Sequence, residues 1–452
     1  MRADVLIAGG GATGALLAIH LLRTAQREHV IVIAERSGRF GEGLAYSTRD
    51  PLHLMNVPAR ALSAISGLPD DFVEWLAAKL PGSTASTFAP RQLYGAYLAE
   101  SLALAQSASA AQLVRIPKEV TDAAETASGV RAKLADGSSI DASFAVLALG
   151  NPPPANPNVP DGGLYESGLY RRSPWGSDAL DDLAPDAPVL LIGTGLTMVD
   201  TALSLSRRGH RGVIHALSRH GLLPARHERH APPPTPWIPK KPTSVRALLR
   251  ELREQPSWRN GVDGLRPLSQ RLWAGLEDEE RARFLRHLRL YWDVHRHRMA
   301  PEVADAIALM RSSGQLQVAP GRLIDFQLEP FAAIARYRPR GSKSVRSMRI
   351  ARVINCTGPA CLRSAGGVLV QRLLTRGLLC LDGLGLGIEA AFDGACFDRR
   401  GTRSAVLYAA GPLLRGVLWE STAIPEIRAQ AEALSERLLL QLEGTTAGLA
   451  HA

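Results

Sequence analysis

Three glycines, Gly9, Gly11 and Gly14, stand in the spacing G-x-G-x-x-G. Placed between a strand and a helix, that spacing makes a phosphate cradle. The first glycine permits a tight turn, the second lets the backbone approach a pyrophosphate, and the third lets helix and strand pack closely. A lone glycine pattern is weak, so its context decides. Asp4–Ala8 reads as a short buried strand, Ala15–Ala25 as a helix, and Val30–Ala34 as a second strand ending in Glu35. The Glu35 carboxylate is placed to accept hydrogen bonds from a ribose 2′-hydroxyl, with Arg36 beside it as a further contact. Strand, glycines, helix, strand and acid occur in order, which is a dinucleotide-binding unit.

The arrangement recurs later in the chain. Val189–Ile192 reads as a strand, followed by Gly193, Gly195 and Thr197, with Met198 where a third glycine would stand and a helix over Val199–Ser206. The next strand, Val213–Leu217, ends in Ser218-Arg219-His220 rather than in an acid, and a cation there suits the 2′-phosphate of NADP. The alternative is a solvated arginine and a glycine turn that serves packing alone, because Met198 crowds the start of the helix. Two such units without a metal-ligand pattern most economically mean flavin plus nicotinamide, so FAD and NADPH are the expected cofactors and no metal is expected.

The elements that hold these turns divide the chain. Phe144–Gly150 is an apolar strand ending in glycine, and a proline-rich connection over 151–160 follows it. Val130–Ile140, with Asp136-Gly137 at its turn, reads as a small hairpin before that strand. A similar strand, Ala351–Gly358, is where the chain is expected to re-enter the first unit. The expected fold class is therefore α/β, with two Rossmann-like dinucleotide-binding domains, the nicotinamide unit inserted into a discontinuous FAD domain, plus a helical basic insertion. The boundaries are 1–150 for the first part of the FAD domain and 151–353 for the NADP domain, with the insertion at about 226–314. The second part of the FAD domain takes 354–442, and 443–452 is a flexible tail.

Composition limits the remaining classes. The 452 residues are 46% apolar, ample for two or three domains. No run approaches the ~20 apolar residues of a membrane span, and glycines follow Val5–Ile7 where a signal-peptide core would continue, so a soluble cytoplasmic protein is expected. The four cysteines, Cys356, Cys361, Cys380 and Cys396, include no C-x-x-C pair, which argues against a disulfide framework and a dithiol centre. The net charge of +10 fits an anionic partner or an arginine-rich solvated surface.

Taken together these segments resemble bacterial flavoproteins of the FAD-NAD(P)-binding type, related to class B flavin monooxygenases and N-hydroxylating monooxygenases. The resemblance covers nearly the whole chain. It rests on Gly9–Gly14, Gly43–Thr48, His53–Pro58, Ile192–Asp200, Ser218–Pro224, Gly411-Pro412 and Trp419–Ala423. It implies that Gly43, Met55 and Asn56 belong to a loop beneath the isoalloxazine, with Asn56 offering amide groups at the flavin edge. It implies that Gly411 turns against the FAD ribityl and pyrophosphate, and that Thr422 precedes a helix over Ile424–Leu440 whose positive end faces the reduced flavin. Gly150 and Gly358, each ending a strand, complete the expected cofactor contacts. An ordinary loop asparagine and a capped surface helix are the plain alternatives.

The stretch 226–314 is basic and aromatic, with a proline run Pro232–Pro242, Trp258, Trp273, Phe284, Trp292 and the cluster His295-Arg296-His297-Arg298. Core packing explains the aromatics at helical spacing. The cluster reads either as an anion contact or as a solvated helix end. No nucleic-acid fold pattern accompanies it, so the expected partner is a small molecule, anionic or amine-bearing, with neither nucleic acid nor membrane. The expected function is NADPH-dependent hydroxylation of a small substrate, possibly at an amino-acid nitrogen. A flavin reductase or dehydrogenase without oxygen insertion and a flavin-bearing sensor without turnover stand beside it. No catalytic acid or base is named, and the oligomeric state is open.

Overall fold

The computed structural model describes residues 1–176, 178–228, 234–240 and 244–449. The proline run Pro232–Pro242 lies partly outside the described residues, as does the end of the chain from 450.

The chain opens with β1 (Arg2–Ala8), α1 (Ala12–Thr24) and β2 (Val30–Ala34). β3 (Gln112–Ile116), β4 (Val120–Thr126), β5 (Gly129–Leu134) and β6 (Ser139–Leu147) follow. These strands form a sheet whose path runs β3, β2, β1, β6, with parallel pairing along it and the antiparallel β4–β5 hairpin joined to the start of β6. Successive side chains of β1 face opposite sides, Val5 and Ile7 into one core and Leu6 and Ala8 into the other. Both faces of a parallel sheet are covered, which is why these strands read as unbroken apolar runs. Each fully buried Leu or Ile, such as Ile7 or Leu17, contributes roughly 1.5–3 kcal/mol.

A second sheet repeats the plan. It contains β7 (Tyr170–Arg171), β8 (Val189–Ile192), then, after α2 (Leu196–Arg207), β9 (Ile214–Ser218). β10 (Leu316–Glu329), β11 (Ala332–Pro339), β12 (Arg346–Ile350) and β13 (Arg352–Asn355) complete it, in the order β12-β11-β10-β9-β8-β13-β7. The helices between β9 and β10 include Val245–Arg253, Trp258–Gly264, Asp278–His287, Arg289–Arg296 and Pro301–Ser312. Trp273 and Phe284 pack on Trp419, with centroids 4.8 and 5.2 Å away, so the insertion's aromatics close against the C-terminal segment.

The strand at 351–358 does not re-enter the first sheet. β13 pairs parallel with β8 and with β7, completing the second sheet. β14 (Ala395–Phe397) and β15 (Arg403–Ala409) make the return, β15 pairing parallel with β6. An apolar strand ending in glycine occurs once in each unit, as β6 with Gly150 and β13 with Gly358, so the pattern alone does not say which sheet such a strand joins. The final helix, α3 (Ile424–Leu449), packs along α1, with Ile427, Ala431, Leu434 and Leu438 in the same core as Leu16 and Leu17. It also extends through 443–449, where a flexible tail is expected from composition. Adding a residue to an established helix costs far less than nucleating one, so the Ala- and Leu-containing end continues it.

Candidate functional site

The first glycine turn is built for close approach. Gly9 sits at φ +106°, and a Cβ there would stand 2.4 Å from the Ala148 carbonyl oxygen. A Cβ on Gly14 would stand 1.9 Å from the Gly9 oxygen, so only glycine lets α1 begin this near β1. Glu35 reaches across the turn, its Oε2 accepting from the Gly10 N–H at 2.9 Å and its Oε1 from Ser37 N–H at 3.0 Å. Arg36 is exposed beside it. Gly43 backs directly onto Gly11, and Gly411 onto Thr13, where a Cβ would lie 2.6 Å from the Thr13 hydroxyl. The Gly411 N–H donates to Gln430 Oε1 of α3 at 2.9 Å, so β15 and α3 close this turn from behind. Thr13 and Gln430 carry no pattern of their own in the sequence.

The second turn repeats the first at Gly193, Gly195 and Thr197 but has Met198 in place of the third glycine. A Cβ on Gly193 would meet the Cys356 oxygen at 2.6 Å, as one on Gly9 meets Ala148. Gly150 and Gly358, at φ +69° and +85°, occupy corresponding strand ends, and both face open space. Gly358 therefore sits beside the second turn. Met198 is fully buried against Val189, Leu191 and Cys356, while Gly195 faces open space and Thr197 follows it in the first turn of α2. The methionine thus fills the core beneath the turn and leaves the approach to Gly195 clear. Thr194 contacts Ser218 Oγ at 2.9 Å and donates to the Leu222 carbonyl at 2.6 Å, holding the turn to the segment that presents Arg219. Arg219 is exposed. Burial, then the charges of Arg340 and Arg219, lower the pKa of His220, which places Arg340 in the same cationic group. Arg340 comes from the β11–β12 turn, too far along the chain for local spacing to reveal.

Between the units lies a cavity of about 150 Å³ where three segments meet. Tyr46, Met55 and Asn56 come from the loop after the first unit's second strand, Thr422 from the start of α3, and Arg266, Arg296 and His297 from the insertion. The Asn56 carbonyl accepts from His227 Nε2 at 2.9 Å, and its side-chain amide has no hydrogen bond among the described residues. Arg266 forms a two-pronged pair with Glu426 in the first turn of α3, at 2.7 and 2.9 Å. That pairing offsets the carboxylate nearest the helix start.

Arg296 and Glu420 are both buried and 3.2 Å apart, close enough for an ion pair but without hydrogen-bond alignment. Arg296 Nε and Nη2 have no hydrogen-bond partner among the described residues. The His295–Arg298 cluster is thus no solvated helix end, since Arg298 is also buried, paired with Asp263 and donating to the His295 carbonyl at 2.6 Å. Among the described residues no group of side chains could hold a metal.

Burial, then the charge of Arg298, lowers the His227 pKa to about 4, and burial followed by Arg296 takes His297 to about 4 as well. Both rings are neutral at pH 7. Because the unfolded chain protonates them near the ordinary histidine value of about 6.5, the fold is favoured above that pH and loses stability as the pH falls towards 4. Thermal melts from pH 7.5 to 4.5 should show that loss, and His227→Gln should flatten the slope; an unchanged slope would contradict the neutral-ring assignment.

Residues 6–152 match the family described as FAD-NAD(P)-binding. The fold of the whole chain is similar to solved structures at low identity. One is the ornithine N-hydroxylase of Kutzneria sp. 744, described with reduced FAD, NADP⁺ and L-ornithine, at 13% identity and TM-score 0.68, covering 98% of this chain and 100% of that one. The ornithine hydroxylase of Pseudomonas aeruginosa matches at 17% identity and TM-score 0.67, with 98% and 100% coverage. The bacillithiol disulfide reductase of Bacillus cereus matches at 15% and 0.56, with the same coverage. No curated sequence matches the chain. Family and fold support an FAD-dependent NAD(P)H oxidoreductase with two nucleotide turns. No helix among the described residues is long and apolar enough to cross a membrane.

Proposed function

We propose that the chain is an NADPH-dependent flavin monooxygenase that hydroxylates a nitrogen of a small, anionic or amine-bearing substrate. The observation carrying this reading is the cavity in which the Met55–Asn56 loop, the start of α3 and the unsatisfied Arg296 converge. Bound FAD supplies acceptance of hydride from the nicotinamide and activation of oxygen. The first turn with Glu35 would hold the adenosine and pyrophosphate, and Asn56 and Thr422 the flavin edge. The second turn with Arg219 and Arg340 would hold NADPH. Arg296 is paired with Glu420 but keeps Nε and Nη2 without hydrogen-bond partners among the described residues, so it has donors left for an anionic substrate group, whereas Arg266 is hydrogen-bonded twice to Glu426. His297, neutral beside it, can hold a proton on one ring nitrogen and accept at the other.

A reductase that works through a cysteine of its own needs a sulfur at the flavin. None of Cys356, Cys361, Cys380 and Cys396 lines the cavity, and burial pushes the Cys356 thiol up to about 12, well away from thiolate formation. That favours oxygen chemistry.

The test is a panel of amino acids and diamines supplied with NADPH in air. Substrate-dependent oxygen uptake matched by an N-hydroxylated product supports the reading; NADPH oxidation that never yields such a product, whatever the substrate, contradicts it. Removing Arg296 and its partner together, as Arg296→Gln with Glu420→Gln, avoids stranding a buried charge. A charge-assisted hydrogen bond contributes about 1.5–3 kcal/mol, so KM for the substrate should rise roughly 10- to 100-fold. Flavin reduction by NADPH without substrate should stay within about threefold of the unmodified protein, because uniform substrate binding is what is lost.

A further inference from the structure

The loop that brings Met55 and Asn56 to the cavity is anchored at its other end to the nicotinamide unit. His53 is buried, and its two ring nitrogens face different elements. Nδ1 lies 2.7 Å from the Thr48 hydroxyl within the loop. Nε2 lies 2.8 Å from Ser204 Oγ and 3.1 Å from the Asp200 carbonyl, both on α2. Ser204 in turn donates to Asp50 Oδ2 at 2.6 Å, and Asp50 Oδ1 is 3.1 Å from Arg207 Nε of the same helix.

A second strut runs alongside. Arg91 Nη1 stands 2.8 Å from Asp200 Oδ2, its Nε donates to the Leu54 carbonyl at 3.1 Å, and its backbone N–H donates to the His53 carbonyl at 2.8 Å. Trp175 covers both struts, edge-on to His53 at 5.7 Å and beneath Arg91 at 6.0 Å. Burying several charged groups in one seam is costly unless each is paired. Packing of apolar side chains would have joined the surfaces without fixing their register.

α2 begins at the second glycine turn, and Asp200 lies within its first turns. The same helix that would receive the nicotinamide nucleotide therefore grips the segment carrying Met55 and Asn56. We infer that His53, with Ser204, Asp50 and the Arg91–Asp200 pair, is a positioning latch that sets the flavin-edge loop against the nicotinamide turn and so fixes the distance over which hydride passes. This inference rests on the reading that FAD and NADPH occupy the two turns. The latch touches neither cofactor turn directly. Its contribution is therefore to geometry, and a misplacement of about 1 Å can cost on the order of 10²-fold in rate.

The test is anaerobic stopped-flow reduction of flavin-loaded unmodified protein, His53→Ala, His53→Gln and Ser204→Ala across a range of NADPH concentrations. The latch predicts that His53→Ala retains flavin and binds NADPH within about threefold, while its limiting reduction rate falls by roughly 10- to 100-fold. Ser204→Ala should show a smaller loss of the same kind. His53→Gln, whose amide reaches the Nε2 side, should recover much of the rate. If His53→Ala does not load flavin, the other two variants carry the comparison. Reduction as fast as in the unmodified protein, a change in NADPH affinity alone, or equal losses for Ala and Gln would overturn the latch. Failure of the unmodified protein itself to be reduced would instead count against the two-cofactor reading.

Discussion

Replacing Gly14 by alanine should strip the chain of FAD. The added Cβ would stand 1.9 Å from the Gly9 carbonyl oxygen and 3.2 Å from Ile7 Cγ2, and the first of these is backbone in the tightest part of the turn. Either α1 shifts away from β1 or the turn opens, and both spoil the row of N–H groups that faces a pyrophosphate. Overpacking of this kind costs about 1–3 kcal/mol or more, and each 1.4 kcal/mol is about tenfold in binding. Flavin content of the purified protein, read from its visible absorbance against protein absorbance, should fall by about tenfold or more. Gly168→Ala is the control, since a Cβ there meets nothing within 4 Å and its backbone is unstrained. Equal flavin in Gly14→Ala and the control would remove the first turn from the account.

Removing Arg219 and Arg340 together should abolish the preference for NADPH. Both are exposed, both act on His220, and they reach the same place from different strands. Two charge-assisted contacts to a 2′-phosphate, at about 1.5–3 kcal/mol each and partly screened by solvent, predict a fall of roughly 100-fold in kcat/KM for NADPH. NADH lacks that phosphate, so its kcat/KM should hold within about threefold. Parallel losses with both nucleotides would mean that the cluster supports the fold rather than reads the phosphate. High salt should weaken the NADPH preference in the unmodified protein.

Much of this architecture was legible along the chain because its cues are local. Glycine spacing, two-faced apolar strands and the residue ending the next strand lie within a few dozen positions, and each unit repeats them. The strand at 351–358 shows the limit of local cues, since an apolar strand closing on glycine looks alike whichever sheet it joins. At 443–449 small residues suggest a flexible tail by composition, while the final helix runs on through them from its packed part. Pairings across the fold left no local trace. Nothing around Arg340 points to His220, nothing around Ser204 points to His53, and Arg296 reads as an anion contact or a solvated helix end, with nothing near it in sequence to point to its buried partner Glu420. Met198 carried an ambiguity that only burial resolves.

The most direct measurement is anaerobic titration of the purified, FAD-reconstituted protein with NADPH and, separately, with NADH, followed at the oxidised-flavin absorbance. Stoichiometric flavin, rapid bleaching by NADPH and markedly slower bleaching by NADH are expected. A protein that takes up no FAD on reconstitution, or whose bound flavin neither nucleotide reduces with or without the candidate substrates, would contradict the two-cofactor reading.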